Sequence, residues 1–409
     1  MIDIKTVKIL FFLSFLFLSA CGGGGGGGSA GGAAGYTVNN CSDTGTDYQT
    51  TEYKYMGYGT SGDYNPLQFV CASAAYARGA TGDGIKVAVL DTGVLAANAD
   101  GATNTSHAEL SNVVNFTSGS DAVNDDDTPH DDNGHGTHVA GIIAADKGDG
   151  GMHGVAYEAD LYIFKNINAA GSSTTTILKT AMQKAIAAEV DIMNNSYGWS
   201  DAGDGSYDGD KFLGSSDCNS AASCESTIGS AFYTQIEAAG TAGIINVWAA
   251  GNESNAEPSA VSGSAIYDDD FKETTVIVVA TDTYIDYGGG NKIASYSNRC
   301  GSAAAICIAA PGSTVWSSDY ASTVAHSYKS GTSMAAPLVA GGLAIIKQEF
   351  SSLTNAQVVD RLFATATDSG EFSQSAIYGH GMMNLNAATT AVASLQTING
   401  SNLLDDPNT

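Results

Sequence analysis

Amide hydrolysis by a serine needs a hydroxyl, a base to take its proton, a carboxylate to orient that base, and donors for the oxyanion. Side chains of these types stand at the ends of apolar runs along the 409-residue chain. Asp91 directly follows the run IKVAVL, in VAVLDTGV. His135 lies in NGHGTHVAG, at the start of an apolar helical stretch, and Gly134 and Gly136 leave room there for backbone or substrate. Ser333 lies in SGTSMAAP and also opens a helix, where free N–H groups and the dipole favour developing negative charge. Pro337 is expected in about the first turn of that helix, where proline is tolerated. Asn252 follows another apolar run, in AAGN.

Read singly, each has a plainer explanation. Asp91 suits a turn before Thr92 and Gly93. Ser333 suits a helix N-cap, and Asn252 suits a turn. His130, His135 and His138 would suit zinc, although the glutamate of an HExxH site is missing.

The elements that must carry these residues alternate. Continuous apolar runs at 85–90, 161–167, 190–195, 244–249 and 275–280 read as buried strands. Helical patterns at 134–145, 174–189, 225–239 and 333–350 separate or follow them, and a further helix at 354–366 is opened by a Thr354/Gln357 capping box. Buried rather than alternating strands, spaced by helices, predict an α/β fold with a mostly parallel central sheet covered on both faces. Ligands then sit beyond the carboxyl ends of the strands. The Gly-, Ser- and Asp-rich stretch 200–224 breaks the rhythm and is expected to be a surface loop on that side.

Taken together, DTG, HGTHVAG and GTSMAAP, in the order Asp91, His135, Ser333, resemble the subtilisin-like serine proteases. The resemblance covers about 80–393 and implies the subtilisin-like fold. It implies Ser333 as nucleophile, His135 as general base and then acid, and Asp91 as the group that fixes the imidazole tautomer. It implies Asn252 as an oxyanion donor beside the Ser333 backbone N–H. Ser196, Tyr197 and Gly198 resemble the family segment that pairs with an extended peptide as an added strand. Gly198, Ala249, Ala250 and Gly251 would then flank the pocket for the residue before the cut, and their small size would admit a large apolar side chain. Protein or peptide substrates are implied, and no cofactor is needed for the chemistry. Structural calcium is left open, with no metal ligand assigned. Asp201, Asp204, Asp208, Asp210 and Asp217 are expected to form a solvated acidic face, with calcium or basic substrates as alternatives. The segments AAYARGATGDGIKVAVLDTGV, SNRCGSAAAICIAAPG and YGHGMMNLNAA resemble autotransporter passengers of the family. Two departures stand out: residues 36–78 are short and polar for a propeptide, and no β-barrel follows.

The N-terminus reads as an address. Lys5 and Lys8 precede an apolar run at 9–18, shorter than the ~20 residues that span a bilayer. Leu18-Ser19-Ala20-Cys21 resembles a bacterial lipobox, which implies cleavage before Cys21 and a lipid on its thiol. Seven glycines, Gly22 to Gly28, begin a flexible tether. The expected organisation is a signal peptide at 1–20, lipidated Cys21 and tether to 35, an extension at 36–79, a peptidase domain at 80–395 and a polar tail at 396–409. Gly22, rather than Asp, after the lipidated cysteine points to the outer membrane of a Gram-negative cell. Of the seven cysteines, six remain, and the local pairing among fifteen choices is Cys41–Cys71, Cys218–Cys224 and Cys300–Cys307. Disulfides fit export. The formal net charge of −27 argues against nucleic acid as a partner and favours a self-repelling monomer.

Overall fold

The computed structural model describes residues 46–55, 65–95, 106–111, 113–115, 119–148, 151–198, 211–282, 293–391, 395–396 and 402–403. The signal segment, Cys21, the glycine tether, Cys41, Asp201, Asp204, Asp208 and Asp210 lie outside the described residues.

In chain order the main elements are α1 (Thr51–Tyr55), α2 (Pro66–Phe69), α3 (Ala72–Tyr76), β1 (Lys86–Asp91), β2 (Val113–Asn115), α4 (His135–Ala144), β3 (Asp160–Lys165), α5 (Thr175–Ala187) and β4 (Ile192–Asn195). There follow α6 (Ala221–Ile228), α7 (Ser230–Thr241), β5 (Ile245–Ala249), α8 (Ala260–Gly263), α9 (Asp269–Lys272), β6 (Thr275–Thr281), β7 (Cys307–Pro311), β8 (Val315–Ser318), β9 (His326–Lys329), α10 (Thr332–Glu349) and α11 (Asn355–Ala364).

Strands β1 to β7 form one seven-stranded sheet in the order β2-β3-β1-β4-β5-β6-β7. Every pairing in it is parallel. Successive strand residues feed two separate cores, which is why the sequence shows continuous rather than alternating hydrophobicity. Val87, Val89, Ile245, Val247, Val276 and Val278 face α4, α10 and α11. Ala88, Leu90, Met193, Trp248, Ile277 and Val279 face α5 and α7. The chain leaves β1 towards β3 on one side and returns to β4 on the other. The carboxyl ends of β1 and β4 therefore form the switch point where an α/β sheet opens a crevice.

Several expectations are refined. The single helix at 225–239 is two helices, broken at Gly229 with φ +96°, where Thr175 of α5 approaches closely. The loop at 200–224 contains the start of α6, opened by a Ser220/Ser223 capping box. The Cys218–Cys224 and Cys300–Cys307 disulfides are formed. Cys71 is disulfide-bonded as well, its partner lying outside the described residues. Tyr53, Leu67, Val70 and Tyr76, from the stretch read as an extension, are buried in the main core.

Strands β8 and β9 form an antiparallel hairpin that the sequence pattern did not suggest. Its inner face lies on α4: Ser317 Oγ donates to the His138 carbonyl (2.8 Å), and His138 Nε2 donates to the Ser327 carbonyl (3.1 Å).

Candidate active site

Asp91 is the last residue of β1 and is fully buried. Its carboxylate takes a bidentate hydrogen bond from His135 Nδ1, at 2.8 and 3.0 Å. A carboxylate only accepts, so the proton sits on Nδ1 and the lone pair on Nε2. The Thr92 backbone N–H also donates to Asp91 Oδ1 (2.8 Å), and Thr92 Oγ1 accepts from the Gly136 N–H (2.8 Å). Thr92 thus ties the carboxylate's loop to the backbone beside the histidine. Gly136 is required there, because a Cβ would collide with the Gly93 carbonyl.

The mouth of α4 is held by a residue that the sequence reading missed. Asp131 is buried and accepts from the N–H groups of Asn133 (3.0 Å), Gly134 (2.8 Å) and Thr137 (2.9 Å), and from Thr137 Oγ1 (2.5 Å). It caps a helix whose own N-cap, Gly134, has no side chain. Lys165, at the end of β3, donates to the His130 carbonyl (2.6 Å) and pairs with Asp132 (2.9 Å).

Ser333 is the second residue of α10 and nearly buried. Its Oγ donates to the Ser196 carbonyl, and Ser196 Oγ donates to the Ser333 carbonyl, each at 3.0 Å. Pro337 is the sixth residue of α10, beyond the first turn where it was expected. It lacks the N–H that would bond to the Ser333 carbonyl. Ser196 fills that place.

Asn252 lies three residues beyond β5. Its Oδ1 accepts from the Thr332 N–H (2.8 Å) and from Thr332 Oγ1 (2.9 Å). The backbone donor fixes which end of the amide is oxygen. Nδ2 is buried and has no partner among the described residues. A Cβ built on Gly331 would lie 3.3 Å from this Nδ2 and 3.5 Å from the Ser333 backbone nitrogen. One spot therefore adjoins two N–H donors at the positive end of an 18-residue helix.

The segments read as pocket walls line up beside this spot, at the ends of the adjacent strands β4 and β5. Their side chains turn away from the spot. Tyr197 is buried: its hydroxyl donates to Asn195 Oδ1 (3.0 Å) and its ring meets Trp248 edge-on at 5.6 Å. Ala249 and Ala250 point into the two cores. Ser196 to Gly198 and Ala249 to Gly251 therefore present backbone rather than side chains. A Cβ on Gly198 would stand 3.5 Å from Ser259 Oγ. Glu253, next to Asn252, receives Asn298 Nδ2 (2.5 Å), and burial pushes its carboxyl up to about 7.

His138 is turned away, onto the hairpin, and burial holds its pKa well below the usual histidine value. Among the described residues no three His, Cys, Asp or Glu side chains are grouped to hold a metal ion. A cavity lined by Ser111, Asp146, Lys147, Tyr157 and Glu158 lies beyond the other end of α4, away from these groups.

A buried carboxylate–imidazole pair, a serine at a helix start and a cradle of N–H donors are what acyl transfer requires. The family model described as the Subtilase family matches residues 82–381. The chain belongs to the subtilase family. It is 34% identical over 320 residues to Subtilisin Savinase of Lederbergia lenta, covering 78% of this chain and 96% of that protein. It is 34% identical over 320 residues to an alkaline protease of Alkalihalobacillus alcalophilus, covering 78% of this chain and 68% of the other. It is 31% identical over 348 residues to Subtilisin E of Bacillus subtilis (strain 168), covering 85% of this chain and 76% of that protein. As a subtilase it is a serine-type endopeptidase with the subtilisin-like α/β fold, and it acts on protein substrates.

Proposed function

We propose that this subtilase is an exported, lipid-anchored endopeptidase that cuts extended protein segments through an acyl-enzyme. Ser333 Oγ attacks the scissile carbonyl carbon while His135 Nε2 takes its proton, and Asp91 stabilises the resulting imidazolium. The carbonyl oxygen, now negative, receives Asn252 Nδ2 and the Ser333 N–H. As the tetrahedral intermediate collapses, the C–N bond breaks and His135 returns the proton to the leaving amine. Water, deprotonated by the same imidazole, then hydrolyses the ester. The backbone of Ser196 to Gly198 holds the substrate as an added strand, which favours unfolded or extended segments over any particular sequence.

The observation that carries this reading is the buried Asn252 Nδ2, a desolvated donor without a partner beside the Ser333 amide. Such a group is costly unless something negative arrives to use it. A fluorophosphonate probe tests it. The wild-type chain should be labelled on Ser333, and Ser333→Ala should take no label and leave an unfolded protein substrate uncut. A wild type that took no label would turn the reading to a silent surface protein that binds partners on the same fold.

The anchor rests on Leu18-Ser19-Ala20-Cys21 and on the glycine run that follows. Two or more acyl chains at ~0.8 kcal/mol per buried methylene would hold the enzyme firmly at the envelope, with Gly22 directing it to the outer membrane of a Gram-negative cell. Cys21→Ser should abolish incorporation of labelled palmitate and release the protein from the membrane fraction.

A further inference from the structure

Large apolar side chains left in solvent are few among the described residues, and they gather in one place. Tyr320 (41% exposed), Val324 (67%) and Tyr328 (42%) all belong to the β8–β9 hairpin; Tyr48 is the other. Large apolar side chains held in solvent on one hairpin suit a surface that binds.

This hairpin is fastened to both halves of the catalytic machinery. Its inner face is hydrogen-bonded to His138, one turn along the helix that carries His135. Its second strand runs through Ser330, whose Oγ accepts from the Thr314 N–H (2.8 Å), into Gly331 and Ser333. The Tyr320 ring lies against Gly134, the residue before His135, so closely that a Cβ on Gly134 would overlap it.

The turn at 319–325 is also rigid. The Asp319 N–H donates to the Ala325 carbonyl (2.7 Å), and the Asp319 carboxylate accepts from the Ala321 N–H (2.9 Å) and Ser327 Oγ (2.6 Å). From outside, the Ala108 N–H donates to the Thr323 carbonyl (2.7 Å), and His107 Nε2 to the Ala325 carbonyl (2.8 Å). The exposed side chains therefore stand on a fixed support and lose little freedom on binding.

The direction of the substrate follows from the sheet. Resting on the mechanism above, the residues before the cut lie over the ends of β4 and β5. The leaving amine takes its proton from His135, which sits over the end of β1 on the far side of β4. The chain after the cut must then cross His135 and continue over Gly134. Among the described residues, Tyr320 is the large side chain that lies against Gly134.

We propose that Tyr320, with Val324 in the same turn, forms an apolar shelf for a large apolar or aromatic side chain within the first residues after the cut. The enzyme thereby selects substrates on their leaving-group side, where the backbone-lined pocket before the cut is permissive.

Matched quenched-fluorescent peptides test this, identical before the cut and carrying Phe, Leu, Ser or Asp at the first two positions after it. The wild-type chain should favour Phe and Leu over Ser and Asp by about tenfold in kcat/KM. Tyr320→Phe should keep that preference, and Tyr320→Ser and Val324→Ser should cut it to about twofold or less. Fluorophosphonate labelling of Ser333 checks that each protein is folded. Intact labelling with a Tyr320→Ser profile like that of the wild type, or a wild type without preference, overturns the shelf alone. A wild type that takes no label overturns the catalytic reading and the shelf with it.

Discussion

Ser196 and Ser333 exchange hydrogen bonds, each hydroxyl donating to the other's carbonyl at 3.0 Å. One half of this exchange exists because of Pro337, which leaves the Ser333 carbonyl without its helical donor. Ser196→Ala should leave that buried carbonyl unpaired, at about 1–3 kcal/mol. Pro337→Ala restores an N–H at the right place. The double variant should regain at least half of the lost stability, measured by guanidinium denaturation in an inactive Ser333→Ala background. Simply additive losses would show that the two residues are not linked.

In the proposed mechanism Asn252 is the oxyanion donor, and Thr332 supports it through two hydrogen bonds to its Oδ1. Asn252→Ala should lower kcat by about 10²–10³-fold with little change in KM; the measured case behind that range is itself a subtilisin. Thr332→Val keeps the backbone bond to Asn252 Oδ1 but loses the hydroxyl. A smaller fall in kcat, about tenfold, is expected, again with KM preserved.

Two buried groups should act oppositely on the pH dependence of stability. Burial raises the Glu253 carboxyl from 4.5 to about 7. Between those values the native state keeps a proton that the unfolded chain has released, so stability falls as pH rises through the window. Burial lowers His153 from 6.5 to about 4. There the unfolded chain binds the extra proton, so stability falls as pH drops. His107, His138 and His380 are displaced in the same sense as His153. Glu253→Gln removes one contribution that favours acid. Its denaturation midpoint should climb more steeply than that of the wild type from about pH 5 to 7.

The Cys218–Cys224 bridge closes a short loop, with a sequence separation of 6. Replacing both by serine should cost about 2 kcal/mol. The Leu213 N–H donates to the Pro258 carbonyl (3.0 Å), and Phe212 pairs with Ser259, so the same loop borders the wall beside Gly198. A lower melting temperature with Ser333 still labelled by the probe is the expected pair of results.

The sequence made the scaffold readable wherever physics acts locally. Runs such as IKVAVL and TVIVVA read as strands buried on both faces, and Asp91, His135 and Ser333 sit at element ends as read. What stayed hidden depends on distant partners. Strand β2 has three residues at a sheet edge, and β9, HSYK, is polar; each is a strand because of its neighbour. The break falls at Gly229, whose φ of +96° and close neighbour Thr175 from α5 are set only in the folded chain. Asp131 carries no motif of its own, and its capping of α4 appears only where the turn at Asn133 and Gly134 brings their N–H groups and that of Thr137 onto its carboxylate. Tyr197 reads as a contributor of backbone; that its ring is buried against Trp248 depends on a residue far along the chain.

Arg361 sits almost wholly buried on α11, its Nε donating to the Ala388 carbonyl (2.7 Å) and a terminal nitrogen to the Thr390 carbonyl (2.6 Å). Arg78 grips the same stretch through Asn386, Thr389 and Thr390. A chain stopped after Leu385 would strip two acceptors from an interior guanidinium, at about 1.5–3 kcal/mol each. It should be recovered insoluble, whereas one stopped after Ala391 should fold. The match to the subtilase family model ends at residue 381, but the electrostatic closure of the globule comes later, so any shortened version made for crystallisation or display has to be cut beyond Thr390.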